Sequence, residues 1–171
     1  AVLERAKTVI VEESPGIPHV FGAENGVHVS DVDYIIEGTD RPPTELPKAP
    51  LTDIDQTVAR LVASEMEDGA CIQIGIGAMP NAVCSLIAEA GFKDLGIHTE
   101  MVGDGIMTLV EAGVITNRKK NYHHGKMLAT FALGSKKLYQ FMHRNPALEM
   151  HPVDFTNDPY LAGQNDKLHA I

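Results

Sequence analysis

Residues 68–113 place the tightest constraint on the fold. In "DGACIQIGIGAMPNAVCSLIAEAG" a turn at Asp68-Gly69 leads into an apolar strand, Ala70 to Ile74, then a glycine-rich loop, Gly75 to Met79, then a helix opening near Pro80. "DLGIHTEMV" supplies the next strand, and "DGIMTLVEAG" the next helix, ended by Gly113. Strands that alternate with helices are joined by crossovers and lie parallel in one sheet. The alternation continues through "MLATFALG", a strand, and "SKKLYQFMHRNP", a helix stopped by Asn145-Pro146, and "LEMHPVDFTND" ends the readable pattern. The expected fold class is α/β, a parallel sheet with crossover helices.

Upstream the pattern is less regular. "TVIVEE", residues 8–13, is a β-branched run of the kind buried in parallel sheets. "SPGIPHVFGAENG" is turn-rich, and "VHVSDVDYIIEG" alternates only loosely. "RPPTELPKAP", residues 41–50, holds four prolines and reads as a stiff linker, because proline can continue neither a helix nor a central strand. Beyond it, Thr52 and Asp55 resemble a capping box with Asp in place of Glu. The helix that follows is expected to bury Ile54, Val58, Leu61, Val62 and Met66 on one face. The chain enters a strand within a few residues of Ala1 and stops as another apolar segment begins, so it reads as a piece of a longer protein.

Charge and residue usage narrow the function. A net charge of −9 over 171 residues argues against nucleic-acid binding through a general positive field. No apolar run approaches the roughly 20 residues needed to cross a bilayer. Cys71 and Cys84 have neither disulfide-framework nor zinc spacing and read as buried reduced thiols, which favours the cytoplasm. The eight histidines are scattered, "HH" at His123-His124 reads as a surface loop, and no metal site is expected.

Two features carry chemistry. "GIGAMP" lies between a strand and a helix, where glycines let backbone amides approach a charged ligand and the helix N-terminus adds unpaired N–H groups. The dinucleotide fingerprint would need glycine where this chain has Pro80. Taken alone, the loop fits a tight turn and a ligand cradle equally well, and a nicotinamide dehydrogenase less well than either. Glu100 leaves the next strand. By residue type it is most simply a solvated carboxylate, but parallel-sheet topology gathers both features at one sheet edge, where a carboxylate would face backbone donors.

"IQIGIGAMPNAV", "DLGIHTEMVGDG", "GVITNRKK", "HGKMLATFALGSKKLYQF" and "NPALEMHPVDFTNDP", in that order, resemble the acetyl-CoA hydrolase/transferase family, with the nearest likeness to 4-hydroxybutyrate and butyrate–acetate coenzyme A-transferases. The resemblance implies two α/β domains of CoA-transferase (NagB/RpiA-like) type with a cleft between them. Residues 1–45 would end the first domain and residues 46–171 would begin the second, CoA-binding one, so the fold is incomplete. It also implies that Glu100 is the nucleophile and that Gly75, Ile76, Gly77, Ala78 and Met79 bind CoA and the reaction's oxyanions. Acyl-CoA and a small carboxylic acid would be substrates, with no permanently bound cofactor and with self-association into a homo-oligomer. An acyl-CoA hydrolase and a non-catalytic CoA-binding fragment are the alternatives.

Other positions carry simpler readings. His98 is most simply a satisfied structural histidine, and Asp104 a cap for the following helix. Gly103 and Gly105 allow close approach behind Glu100. Lys119, Lys120 and Lys126 fit a solvated basic loop at least as well as a phosphate-binding one.

Overall fold

The computed structural model describes residues 2–47 and 50–171. Lys48 and Ala49, at the end of the expected linker, lie outside the described residues. Before the linker come α1 (Val2–Arg5), β1 (Ile10–Glu13), β2 (Phe21–Gly22), a 3-10 turn (Val29–Asp31) and β3 (Tyr34–Glu37). Among the described residues β1 pairs, in parallel, with β3 alone, and Ile10 is 61% exposed rather than buried as its β-branched run predicts. β-branching matched the strand, but only a second layer would have buried it.

After the linker, α2 (Asp53–Ser64) starts with the expected capping box: Thr52 accepts from the Asp55 N–H, and the Asp55 carboxylate accepts from the Thr52 N–H. α2 packs on α3 (Ala78–Ala90). The contact buries Ala59 and partly buries Val58 and Val62, while Ile54 and Leu61 of the expected face are exposed. α3 opens at Ala78, so Pro80 sits in its first turn, where a missing N–H costs nothing. It ends at Gly91, whose φ of 81° is the left-handed conformation that terminates helices.

β4 (Cys71–Gln73), β5 (Gly96–Ile97), β7 (Met127–Ala129) and β9 (Leu148–Met150) form the centre of a parallel sheet, with β10 (Leu168–Ala170) at one edge and β2 at the other. A parallel bridge between His98 and Leu128 joins β5 to β7, giving the order β10–β4–β5–β7–β9–β2. Ile72, Ile97, Leu128 and Leu148 in this sheet are buried, as parallel strands covered on both faces require. The remaining helices are α4 (Asp104–Glu111), α5 (Lys136–Met142), α6 (Val153–Thr156) and α7 (Pro159–Ala162). The proline-rich segment is pinned across α5: Glu45 accepts from the Lys136 N–H at 2.9 Å, and the Tyr139 hydroxyl donates to Thr44 O at 2.8 Å.

Two segments expected as single strands are each broken. "DLGIHTEMV" gives β5, then a gap at His98–Glu100, then β6 (Met101–Val102); "MLATFALG" gives β7, then Thr130, then β8 (Phe131–Ala132). Among the described residues β6 and β8 pair only with each other, in parallel, as a second small sheet. The chain therefore changes sheets twice at the same level, and the Glu100 carbonyl bridges the crease by accepting from both Thr130 N–H (2.9 Å) and Phe131 N–H (3.1 Å).

Candidate active site

Glu100 sits at this crease, half-buried, beyond the C-terminal end of β5. Its carboxylate accepts a hydrogen bond from Asn157 Nδ2 at 2.8 Å. Asn157 immediately follows α6, so the position of that short helix sets the orientation of the acid. The residues on either side of Glu100 tie it to the glycine loop. Thr99 Oγ1 donates to Ile74 O at 3.0 Å and accepts from the Ile74 N–H at 3.2 Å. Met101 Cε would lie 4.0 Å from a Cβ built on Gly75, and Ile76 Cγ2 would lie 3.2 Å from one on Gly103. The Ile72–Ile97 register, extended by three residues, brings Gly75 level with Glu100.

Within the loop the five expected residues divide. The Gly75 N–H is committed to Ile171 O at 3.3 Å. Gly77 is the N-cap of α3, with φ 121° and no side-chain cap, so this helix end presents its dipole and first-turn amides without a capping side chain. Ala78 and Met79 are the first two helical residues. Gly77 and Ala78 line a cleft of about 310 Å³, which is closed on its other side by Asp104, Gly105 and Thr108 of α4 and by Leu46, Pro47 and Leu51. Glu100 is not among the residues lining that cleft.

His98 is sealed beneath the crease at 2% exposure. Its Nε2 is 2.6 Å from Thr156 O, a carbonyl that only accepts, so the proton resides on Nε2. Nδ1 then accepts from the Tyr122 hydroxyl at 2.9 Å. Burial holds its pKa below the usual histidine value. α6 thus fixes both residues, His98 through Thr156 O and Glu100 through Asn157.

Lys120 departs from the solvated-loop reading. It is 3% exposed, and its Nζ donates to Ile97 O (2.9 Å) and Lys126 O (2.8 Å), with burial pushing its pKa down to about 8. Space for it depends on Gly96, where a Cβ would lie 2.6 Å from Lys120 Cγ. Lys126 pairs with Glu149 at 3.5 Å, and Lys119 remains exposed. Asp104 is the first residue of α4 rather than its cap, and it accepts from the Ser135 N–H at 3.2 Å, bracing the start of α5. Gly105 is required by helix packing: a Cβ there would meet Cys84 Sγ at 2.7 Å. Asn157 had no local signal in the sequence, because its role depends on a fold contact 57 residues away.

Residues 134–171 match the model of the acetyl-CoA hydrolase/transferase C-terminal domain. The chain is 45% identical over 168 residues to 4-hydroxybutyrate coenzyme A transferase of Clostridium kluyveri, covering 98% of this chain and 38% of that protein. It is 42% identical over 169 residues to succinyl-CoA:cyclohexane-1-carboxylate CoA transferase of Geobacter metallireducens, covering 99% of this chain and 38% of that protein. The crystal structure of RipA from Yersinia pestis superposes with a TM-score of 0.93 at 36% identity, covering 99% of this chain and 38% of that one. The chain therefore spans 38% of the length of these relatives.

Proposed function

We propose, for a chain that belongs to the acetyl-CoA hydrolase/transferase family, that Glu100 is the nucleophile of a transferase moving coenzyme A between a short-chain acyl-CoA and a carboxylic acid. The observation that carries this reading is the placement of the Glu100 carboxylate at a sheet-switching crease, oriented by Asn157 and tied to the start of the glycine loop through the Thr99–Ile74 hydrogen bonds. The 4-hydroxybutyrate and succinyl-CoA named for its relatives suggest small carboxylates as substrates.

A Glu100 oxygen adds to the thioester carbonyl, and collapse of the tetrahedral oxyanion breaks the C–S bond, giving a mixed anhydride and CoA thiolate. The thiolate adds to the Glu100 carbonyl carbon and expels the acyl group as a carboxylate, leaving a glutamyl-CoA thioester. An acceptor carboxylate then reverses both steps, and no net proton is consumed. Backbone amides of the glycine loop would supply donors for the oxyanions, on the order of 3 kcal/mol each once water is excluded. The chemistry takes an acyl-CoA and an acceptor carboxylate as its substrates.

The test is intact mass and peptide mapping of the purified protein after brief exposure to butyryl-CoA. A CoA-sized adduct on Glu100 that acetate discharges is expected. Discharge at the same rate without acetate indicates hydrolysis, and an adduct on any other residue removes Glu100 as the nucleophile.

A further inference from the structure

Next to Tyr122, whose ring meets both His98 and His123 edge-on, lies a second cluster that the proposed transfer chemistry does not use. Glu149, the central residue of β9, holds its Oε2 3.2 Å from His123 Nδ1 and 3.3 Å from His151 Nε2. The three donor atoms all lie within 4.8 Å of one another. Both imidazoles converge on a single carboxylate oxygen, and both rings are held in place. The His151 ring stacks on Phe155 with centroids 4.7 Å apart, and the His123 ring meets Tyr122 edge-on at 5.2 Å. His123 also has a φ of 50°, an uncommon conformation for a non-glycine residue, fixed by a turn in which the Lys126 N–H donates to His123 O.

We propose that His123, Glu149 and His151 form a binding site for one divalent transition-metal ion of the zinc class. In tetrahedral zinc with bonds of about 2.05 Å, neighbouring donor atoms are about 3.3 Å apart, which matches both measured edges. Two imidazoles and one carboxylate are a donor set that zinc accepts, and a solvent molecule takes the fourth position. The side chains of His123, Glu149 and His151 are 32%, 20% and 7% exposed, so the ion enters from the His123 side. Without metal, each imidazole donates an N–H to Glu149. On binding, those protons move to His123 Nε2 and His151 Nδ1, and the freed lone pairs face the ion. Lys126, 3.5 Å from Glu149 Oε1, neutralises the carboxylate in the metal-free state and opposes the ion. A bound metal would join the loop carrying Lys120 and Tyr122 to the end of β9 and the start of α6.

The test is titration of the chelator-treated protein with Zn2+ by calorimetry and with Co2+ by visible absorption. We expect one equivalent bound, and a Co2+ spectrum of a four-coordinate nitrogen–oxygen site without thiolate charge transfer, since Cys71 and Cys84 are buried. His123→Ala should weaken binding by about 100-fold or more. Lys126→Gln should tighten it by roughly tenfold by removing the opposing charge. His124→Ala alters an exposed neighbour and should change nothing. His123 and Lys126 are both partly exposed, so neither variant relies on repacking the core. Failure of the wild-type protein to bind one equivalent, or equal weakening by His123→Ala and His124→Ala, overturns the site and leaves a hydrogen-bonded cluster only.

Discussion

His98 and Glu100 are two residues apart at the end of the same strand, yet the fold treats them oppositely. His98 is buried with both ring nitrogens bonded, while Glu100 is half-exposed and its side chain receives one bond, from an exposed asparagine. The crease causes the difference. Before it, the chain belongs to a sheet covered on both faces; after it, the chain belongs to a two-stranded pair, and Glu100 lies at the gap. Groups in the covered layer contribute through satisfied hydrogen bonds, and removing one exposes the full desolvation cost of its partners. A group in the gap contributes little to stability and is available for chemistry.

The sharpest test of this contrast is Glu100→Gln. It should abolish the CoA adduct in mass spectra, while the urea midpoint should correspond to a change of no more than about 0.5 kcal/mol, as for surface substitutions. A large loss of stability would show that Glu100 belongs to the buried layer after all. His98→Ala should do the reverse at the level of folding. Loss of the ring leaves Thr156 O and the Tyr122 hydroxyl unpaired around a cavity, costing about 3 kcal/mol in chemical denaturation.

Stability against pH probes the buried layer without mutation. Folding lowers the Lys120 pKa from 10.5 to about 8, so above pH 8 the unfolded chain binds the extra proton and stability rises with pH. Folding raises the pKa of Cys71 from 9.0 to about 11 and that of Cys84 from 9.0 to about 12, because burial disfavours their thiolates. Above pH 9 the unfolded chain therefore loses protons that the folded chain keeps, and stability falls. Lys120 alone contributes a climb of about 1 kcal/mol between pH 8 and 9, the two thiols offset most of it, and the profile turns over near pH 9. In Lys120→Met the climb should disappear while the decline remains. The smallest effect expected is that of Asn157→Ala. It removes the bond to Glu100 yet should shift stability by no more than about 0.5 kcal/mol, since the pair is exposed, and it should slow adduct formation measurably in a quenched time course.

The comparison also separates what local pattern can reveal from what it cannot. The strand–loop–helix at residues 71–90, the Thr52/Asp55 capping box and the helix stop at Gly113 were legible because each depends on neighbours within a few positions. The placement of Glu100 and the glycine loop at one sheet edge followed from parallel topology. Lys120 was not legible, because a lysine in "NRKKNYHHGK" carries no mark of the two carbonyls that bind it 23 and 6 residues away. Ile54 and Leu61 failed for the converse reason: helical periodicity identifies an apolar stripe, but whether that stripe is covered depends on a neighbouring element.

By itself, the sequence determined the alternation of strands and helices, their parallel sense, and a carboxylate and a glycine loop at adjacent strand ends. These follow from local periodicity, capping and the handedness of crossovers. Only the tertiary structure decided where the strands break, and with them which ionisable groups are sealed and which are open. A break of one or two residues is set by which strands compete for a backbone N–H, and that competition involves residues about 30 positions apart, as when the Glu100 carbonyl takes the amides of both Thr130 and Phe131.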